Sequence, residues 1–496
     1  MRLAFKTLSA ASPAPTRLGT APRTGLLNGA SPGRAAARAG TLAALIIAGA
    51  LAACSTNSPE VTTARGTAQL LDLSAPDLAP GLKNGPPSER LPDNSHLGAD
   101  FMELSFFLES GRALPRFTRF EGPVSITLAG NAPPLAQTEL GHLVHRLQRE
   151  AGLNVSTEPG NANTISVQFV PKRQMRREVP NVACFVVPNV ESWTDYRNSH
   201  ADEASDWAKL TQRHSATVFI PADSTPQEIR DCLHEEVSQA LGPVNDLYRL
   251  PDTVWNDDNF HTVLTKFDMT ILRAYYDPAL HTGMSPAEVR AALPAILSKI
   301  HPSGGSMHAL PADPTPRAYV KAITTALGHG ASDKRRRAAA ERATKIATSR
   351  GWHDSRAAFA WFAVGRLTMK TDPEKAVAAY KKAGRIYRAT PGAEIQAAHI
   401  DMQLAAYALG TGRAQEAVSL VNRALASDVS SENASLMATL YMIRAEAYGQ
   451  LGDATKEHQA RLDMQQWARY GFGSDAAVKR RADEVAALAN AGARVN

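Results

Sequence analysis

Only three cysteines occur in the 496 residues: Cys54, Cys184 and Cys232. So few exclude a disulfide-dense scaffold and a four-cysteine metal site. Acidic residues are missing from the first 53 positions, which carry six basic ones: Arg2, Lys6, Arg17, Arg23, Arg34 and Arg38. Taking those six from the 54 basic residues leaves 48, equal to the 48 acidic ones, so the net charge of +6 belongs to this leader. The formally neutral body lacks the basic footprint of a nucleic-acid binder, and no nucleic-acid partner is expected. Also missing are a Gly-rich phosphate loop, a Ser-centred nucleophile elbow and a His pair at metal-ligand spacing on a convincing helix.

What the leader does contain is an address. "GRAAARAGTLAALIIAGALAAC" reads as a basic segment, a short apolar core and a Cys. The apolar run Thr41–Ala53 has thirteen residues, too short to span a bilayer and suited to a signal peptide. Leu51-Ala52-Ala53-Cys54 resembles the lipobox of bacterial lipoproteins. The resemblance implies a diacylglycerol on Cys54. Ser55, rather than Asp, after the lipidated Cys implies an outer-membrane anchor facing the periplasm. Residues 1–53 are then a signal peptide with an N-terminal extension, and the Pro/Gly-rich residues 54–99 a flexible tether. In an oxidising compartment the remaining pair, Cys184 and Cys232, is expected to form a disulfide. Closing a loop of that size stabilises by roughly 4 kcal/mol on the chain-entropy account.

From 100 to 300 the pattern mixes strands and helices, an α+β region. "GPVSITLAG", "TISVQFVP", "ACFVVP" and "HSATVFIP" read as strands, and "DFMELSFFL" as apolar and helical. Leu140, Leu143, Val144 and Leu147 recur at helical spacing. A helix starts cleanly at "STPQE", where Ser224 or Thr225 can cap, Pro226 fills the first turn and Glu228 completes a capping box; Gly242 ends it. A last helix is predicted over "NFHTVLTKFDMTILRAYYDP".

From 314 to 496 the chain is Ala-rich and helical. Ala376, Val377 and Ala383 recur as Ala417, Val418 and Ala424, a 41-residue period. Small residues at fixed positions let paired helices pack closely and stack. This resembles tetratricopeptide repeats, although that family repeats every 34 residues or so. The repeat-end Pro is out of place, and the third unit, "ATKEHQARLDMQQWARYG", is degraded.

The middle helix carries "CLHEEVSQALGPVND", residues 232–246. Zinc proteases of the zincin class use His-Glu-x-x-His, two ligands one turn apart with a Glu that activates water. Placing His234-Glu235 in that role puts Ser238, a poor zinc ligand, at the second His position. Placing Glu236 as the catalytic Glu puts Glu235 and Gln239 at the His positions, Gly242 at the following Gly, and Asn245 or Asp246 at the third ligand. The second register fits the scaffold and has exchanged every His. "TVWNDD" resembles the turn that carries a Met below the metal, with Trp255 near that place, and "FDMTILRAYYDP" resembles the last helix of matrixin-like domains. The whole resembles a family of Gram-negative envelope lipoproteins of unknown function over roughly residues 100–300. Cys232, Glu235, Glu236, Gln239, Leu241, Gly242, Asn245 and Asp246 carry that resemblance, with "YYDPALHTGMS" downstream.

The resemblances imply a zincin-like domain with a degenerate site followed by tetratricopeptide-like helical repeats. The expected role is a non-catalytic scaffold in envelope assembly or maintenance, with a protein partner held by the repeats and no cofactor. Two alternatives stay open. Glu235, Gln239 and Asp246 are oxygen donors suited to a hard divalent cation. Glu236 as general base would make the chain a metal-dependent hydrolase acting on peptides or peptidoglycan.

Overall fold

A computed structural model describes residues 91–493, except 181, 257, 259, 309–312 and 427–431. The leader, Cys54 and residues 54–90 of the expected tether lie outside the described residues. No helix among the described residues is long and apolar enough to cross a membrane.

The first described helix is α1 (Asn94–Phe106), where the Asp93 carboxylate caps the backbone N–H groups of Ser95 and His96. The sheet has strand order β2-β1-β3-β5-β4. β1 (Val124–Ala129) runs parallel to β2 (Val155–Ser156) and β3 (Asn163–Val170), and β3 parallel to β5 (Ser215–Pro221). β4 (Phe185–Pro188) closes the edge antiparallel to β5. A parallel pair needs a crossover. The first is α2 (Pro134–Glu150), which buries Leu140, Leu143, Val144 and Leu147. Two short helices that no sequence pattern announced, α3 (Lys172–Glu178) and α4 (Trp193–Ser199), cover the opposite face. Their Met175 and Tyr196 pack on Phe185, Val187 and Phe219, while Val186, one residue out of phase, faces the main core.

α5 (Pro226–Leu241) lies beside α2 against β4 and β5. The helix predicted from Asn259 starts later. α6 spans Lys266–Tyr275, and the described residues before it form a buried loop. Thr265 and Asp268 make a reciprocal capping box that fixes the start. α7 (Pro286–Ile300) returns against α1.

Nine helices are described beyond it: α8 (Arg317–Leu327), α9 (Asp333–Ser349), α10 (Ser355–Thr368), α11 (Pro373–Ala389), α12 (Glu394–Gly410), α13 (Ala414–Leu425), α14 (Ala434–Gln450), α15 (Ala454–Phe472) and α16 (Asp475–Ala493). Successive helices pack on one another. The recurring small residues Ala376, Ala383, Ala417 and Ala424 are all buried. Gly412 and Gly452 have φ of 73° and 74°, left-handed conformations that let two of the helical hairpins turn tightly. α16 lies across α12 and α14, where Gln450 Nε2 donates to the Ala489 carbonyl at 2.7 Å.

The α/β region and the helical region share a core. Phe260 is fully buried among Phe359 and Phe362 of α10, Tyr387 of α11 and His399 of α12. Tyr248 joins the same cluster beside Tyr319 of α8.

Candidate functional site

α5 begins as its sequence requires. Thr225 Oγ1 accepts from the Glu228 N–H at 3.2 Å, and Glu228 Oε2 accepts from the Thr225 N–H at 2.9 Å. With 100° per residue, Cys232, Glu235, Glu236 and Gln239 then share one side of the helix, and His234 and Ser238 another. The two ways of reading the motif thus correspond to two helix faces with different surroundings.

The His234 face is packed into the loop that precedes α6. His234 Nδ1 accepts from the Leu264 N–H at 3.0 Å. Burial, helped by the positive charges of Arg146 and Arg230, holds its pKa well below the usual imidazole value, so the ring is neutral. Ser238 Oγ donates to the Glu235 carbonyl at 2.9 Å and accepts from Trp255 Nε1 at 2.9 Å. Trp255 has no exposed surface and lies directly below the helix. This face is therefore structural in every polar contact described.

The other face carries the carboxylates. Cys232 is joined to Cys184 with a Cα–Cα distance of 5.9 Å, tying α5 to the segment leading into β4. Glu236 is 0 % exposed and Glu235 is half-buried. Cys184, Glu235 and Glu236 bring donor atoms within 4.8 Å of one another, the one such group of potential metal ligands among the described residues. In the oxidised protein the sulfur is a neutral disulfide atom and no ligand. Gln239 Nε2 donates to Asp246 Oδ1 at 3.0 Å. Asn245 Nδ2 turns away to the Glu103 carbonyl of α1 at 3.0 Å. Gln239, Asn245 and Asp246 are thus used in bonds that hold the chain after the helix. The set does not fit the three-ligand zinc centre of a zincin, which needs converging nitrogen, sulfur or carboxylate donors and an open position.

Gly242 ends the helix for a reason other than a left-handed turn. Its φ is −156°, an extended value, and a Cβ there would stand 3.3 Å from the Tyr275 ring. The close approach of that ring is what calls for glycine.

Residues outside the motif fix the helix ends. Arg213, buried just before β5, donates through Nη1 to the Ala240 carbonyl at 2.8 Å and through Nη2 to the Gly242 carbonyl at 2.8 Å. It satisfies carbonyls that a helix C-terminus leaves unpaired. At the other end Gln227 Nε2 donates to Asn433 Oδ1 at 3.0 Å, and its Oε1 accepts from the Ser435 N–H at 2.8 Å. Arg230 donates to the Glu432 carbonyl and to Thr262 Oγ1, and stacks over Tyr470. Tyr470 in turn donates to Glu139 Oε1 at 2.7 Å. Only a basic residue just before a buried strand hinted at Arg213, and nothing local marked the partners on α14 and α15.

A second buried group lies where the two regions meet. His261 stands 3.8 Å from Asp252 Oδ1 and 3.9 Å from Glu432 Oε2. Burial alone would lower its pKa, but Glu432, Asp252 and Asp258 raise it to about 9. Burial lifts the Asp258 carboxyl to about 7. Gln396 of α12 spans the junction, with Nε2 donating to the Pro251 carbonyl at 2.7 Å.

The segment from α1 to α7 carries this helix, its disulfide and the loop beneath it. Residues 94–295 match the model of a family described as a protein of unknown function, DUF2927. No curated protein and no solved structure matches the chain. The matched segment contains the sheet, α5 and the described loop residues between α5 and α6, and it stops short of the helical region that packs on them.

Proposed function

We propose that the protein is a lipid-anchored binding or scaffold protein on the periplasmic side of the outer membrane, in which a pseudo-metalloprotease region is braced by tetratricopeptide-like repeats. The observation that carries this reading is the state of α5. Its carboxylate face is crossed by Cys184–Cys232, and Gln239, Asn245 and Asp246 are spent on structural bonds. The zincin-like descent is supported by the antiparallel edge strand β4 beside α5 and by Trp255 in the turn beneath it. The address is supported by the lipobox ending at Cys54 and by a disulfide suited to an oxidising compartment. The repeat reading is supported by the buried 41-residue recurrence of alanines and by the stacked helical hairpins. For the partner, a cavity of ≈ 380 Å³ is lined by Lys381, Arg385, Arg388, Arg423 and Glu416; Arg388 and Arg423 are paired with Asp401, and the basic excess that remains suits an acidic segment.

The rival is hydrolysis with Glu236 as general base. Wild-type protein and Glu236→Gln are compared for release of fragments from denatured protein and from peptidoglycan, with zinc, manganese or calcium added. The scaffold reading predicts the same background for both. Turnover by wild type that falls 100-fold or more in Glu236→Gln, the scale of a lost general base, would overturn it.

A further inference from the structure

We propose that reduction of the Cys184–Cys232 disulfide turns the carboxylate face of α5 into a site for a thiophilic divalent cation, zinc above all, held by Cys184, Cys232, Glu235 and Glu236. This goes beyond the scaffold reading, which concerns the oxidised protein, and does not depend on it.

The placement of the donors carries the proposal. Cys232, Glu235 and Glu236 are at positions i, i+3 and i+4 of one helix, the spacing that stacks side chains on a single face. Cys184 comes from the segment before β4, which packs on that face. The donor atoms of Cys184, Glu235 and Glu236 already lie within 4.8 Å of one another. The Cys232 sulfur is bonded to that of Cys184 and so lies one disulfide bond away from this group. Metal–sulfur and metal–oxygen bonds of about 2.0–2.3 Å put tetrahedral ligands about 3.3–3.8 Å apart. The donors of Cys184, Glu235 and Glu236 therefore close in by an ångström or so, and the sulfurs move apart once their bond is cut.

The chemistry favours occupancy after reduction. Cys184 and Cys232 are 3 % and 4 % exposed and Glu236 is 0 % exposed, so water competes weakly for a bound ion. Two thiolates and two carboxylates in so small a space cannot all be charged without a cation. Two sulfur and two oxygen donors suit zinc better than calcium or magnesium. Half-buried Glu235 supplies the side open to solvent.

The steps balance. A dithiol reductant attacks one sulfur as its thiolate and forms a mixed disulfide, and its second thiolate then displaces the protein sulfur. Two electrons pass from the dithiol, which leaves as its own disulfide, and two protons end on Cys184 and Cys232. Binding of the cation releases those two protons to solvent.

Cobalt(II), whose thiolate complexes give a near-ultraviolet charge-transfer band, serves as the probe for zinc. The full chain is reduced with a trialkylphosphine under anaerobic conditions, checked for retained helical circular dichroism, and titrated. The proposal expects a band saturating at one equivalent and bleached by zinc. The oxidised protein shows no band. Cys184→Ser abolishes it, Glu236→Gln weakens binding about tenfold or more, and Cys54→Ser leaves it unchanged. No band in folded, reduced protein overturns the proposal. So does a band that survives Cys184→Ser or disappears in Cys54→Ser. Loss of the helical signal on reduction overturns it as well, because the four donors then have no common frame. Metal found in the oxidised protein would count against the function proposed above and not against this site, so the two failures are distinguishable.

Discussion

Ser238 stands where one reading of the helix wants a second histidine, and its surroundings explain why a small hydroxyl is there. It joins the Glu235 carbonyl to the buried indole N–H of Trp255. Ser238→Ala leaves that indole donor without an acceptor in a dry place. An unpaired buried donor costs about 1–3 kcal/mol. Urea unfolding should register that loss as a lower midpoint with an unchanged slope, and near-ultraviolet circular dichroism should report a disturbed Trp255. A variant as stable as wild type would mean that the bond holds nothing. His234 belongs to the same class of residue. The sequence shows an imidazole beside two carboxylates, and the fold spends it on the Leu264 N–H. Which face a side chain occupies follows from helix periodicity, but what waits opposite that face is set by loops distant in sequence. That is why the motif's outline was legible and the use of its residues was not.

At the scale of elements, local chemistry was the reliable guide. The Thr225–Glu228 capping box and Pro226 in the first turn are properties of a few adjacent residues, and they are realised where the sequence places them. The helix expected from Asn259 begins only at Lys266, since the apolar spacing in "FHTVL" mimics a helical stripe. Phe260 and Leu264 are buried for another reason: one enters the helical region's core and the other packs in the core of the α/β region. Thr265 with Asp268 is the local signal for the true start. α3 and α4 were missed since seven residues are too few to establish a period. The 41-residue recurrence announced stacked hairpins, yet α15 departs from it. Its Tyr470 reaches into the α/β region, where it bonds Glu139 and underlies Arg230. A repeat that also serves as a contact surface cannot keep the consensus of its neighbours.

At the scale of the molecule, the helical region acts as a brace on α5 and its loop rather than as a separate bead. The charge at this junction makes a prediction about pH. His261 has its pKa raised to about 9 by the carboxylates of Asp252, Asp258 and Glu432, against about 6.5 in an unfolded chain. A raised base binds its proton more tightly when folded. Its stabilisation is therefore complete below about pH 6.5 and is lost as pH climbs to about 9. Asp258, raised to about 7, adds a loss of the same sign at lower pH. The melting temperature should fall between pH 6.5 and 9, and His261→Gln should flatten that part of the profile. A profile in His261→Gln as steep as that of wild type would remove His261 from the account.

The central claim is that α5 in the oxidised protein is a structural helix whose carboxylate face is closed by Cys184–Cys232. Metal content tests it most directly. The protein is purified from periplasm without chelator or added metal, shown by thiol titration to hold the disulfide, and analysed for zinc, calcium, magnesium and manganese per folded chain. The account predicts metal at background. Near one zinc per chain, or near one hard cation lost in a variant that removes Glu235 or Asp246, would contradict it and reopen the case for a metal-dependent enzyme.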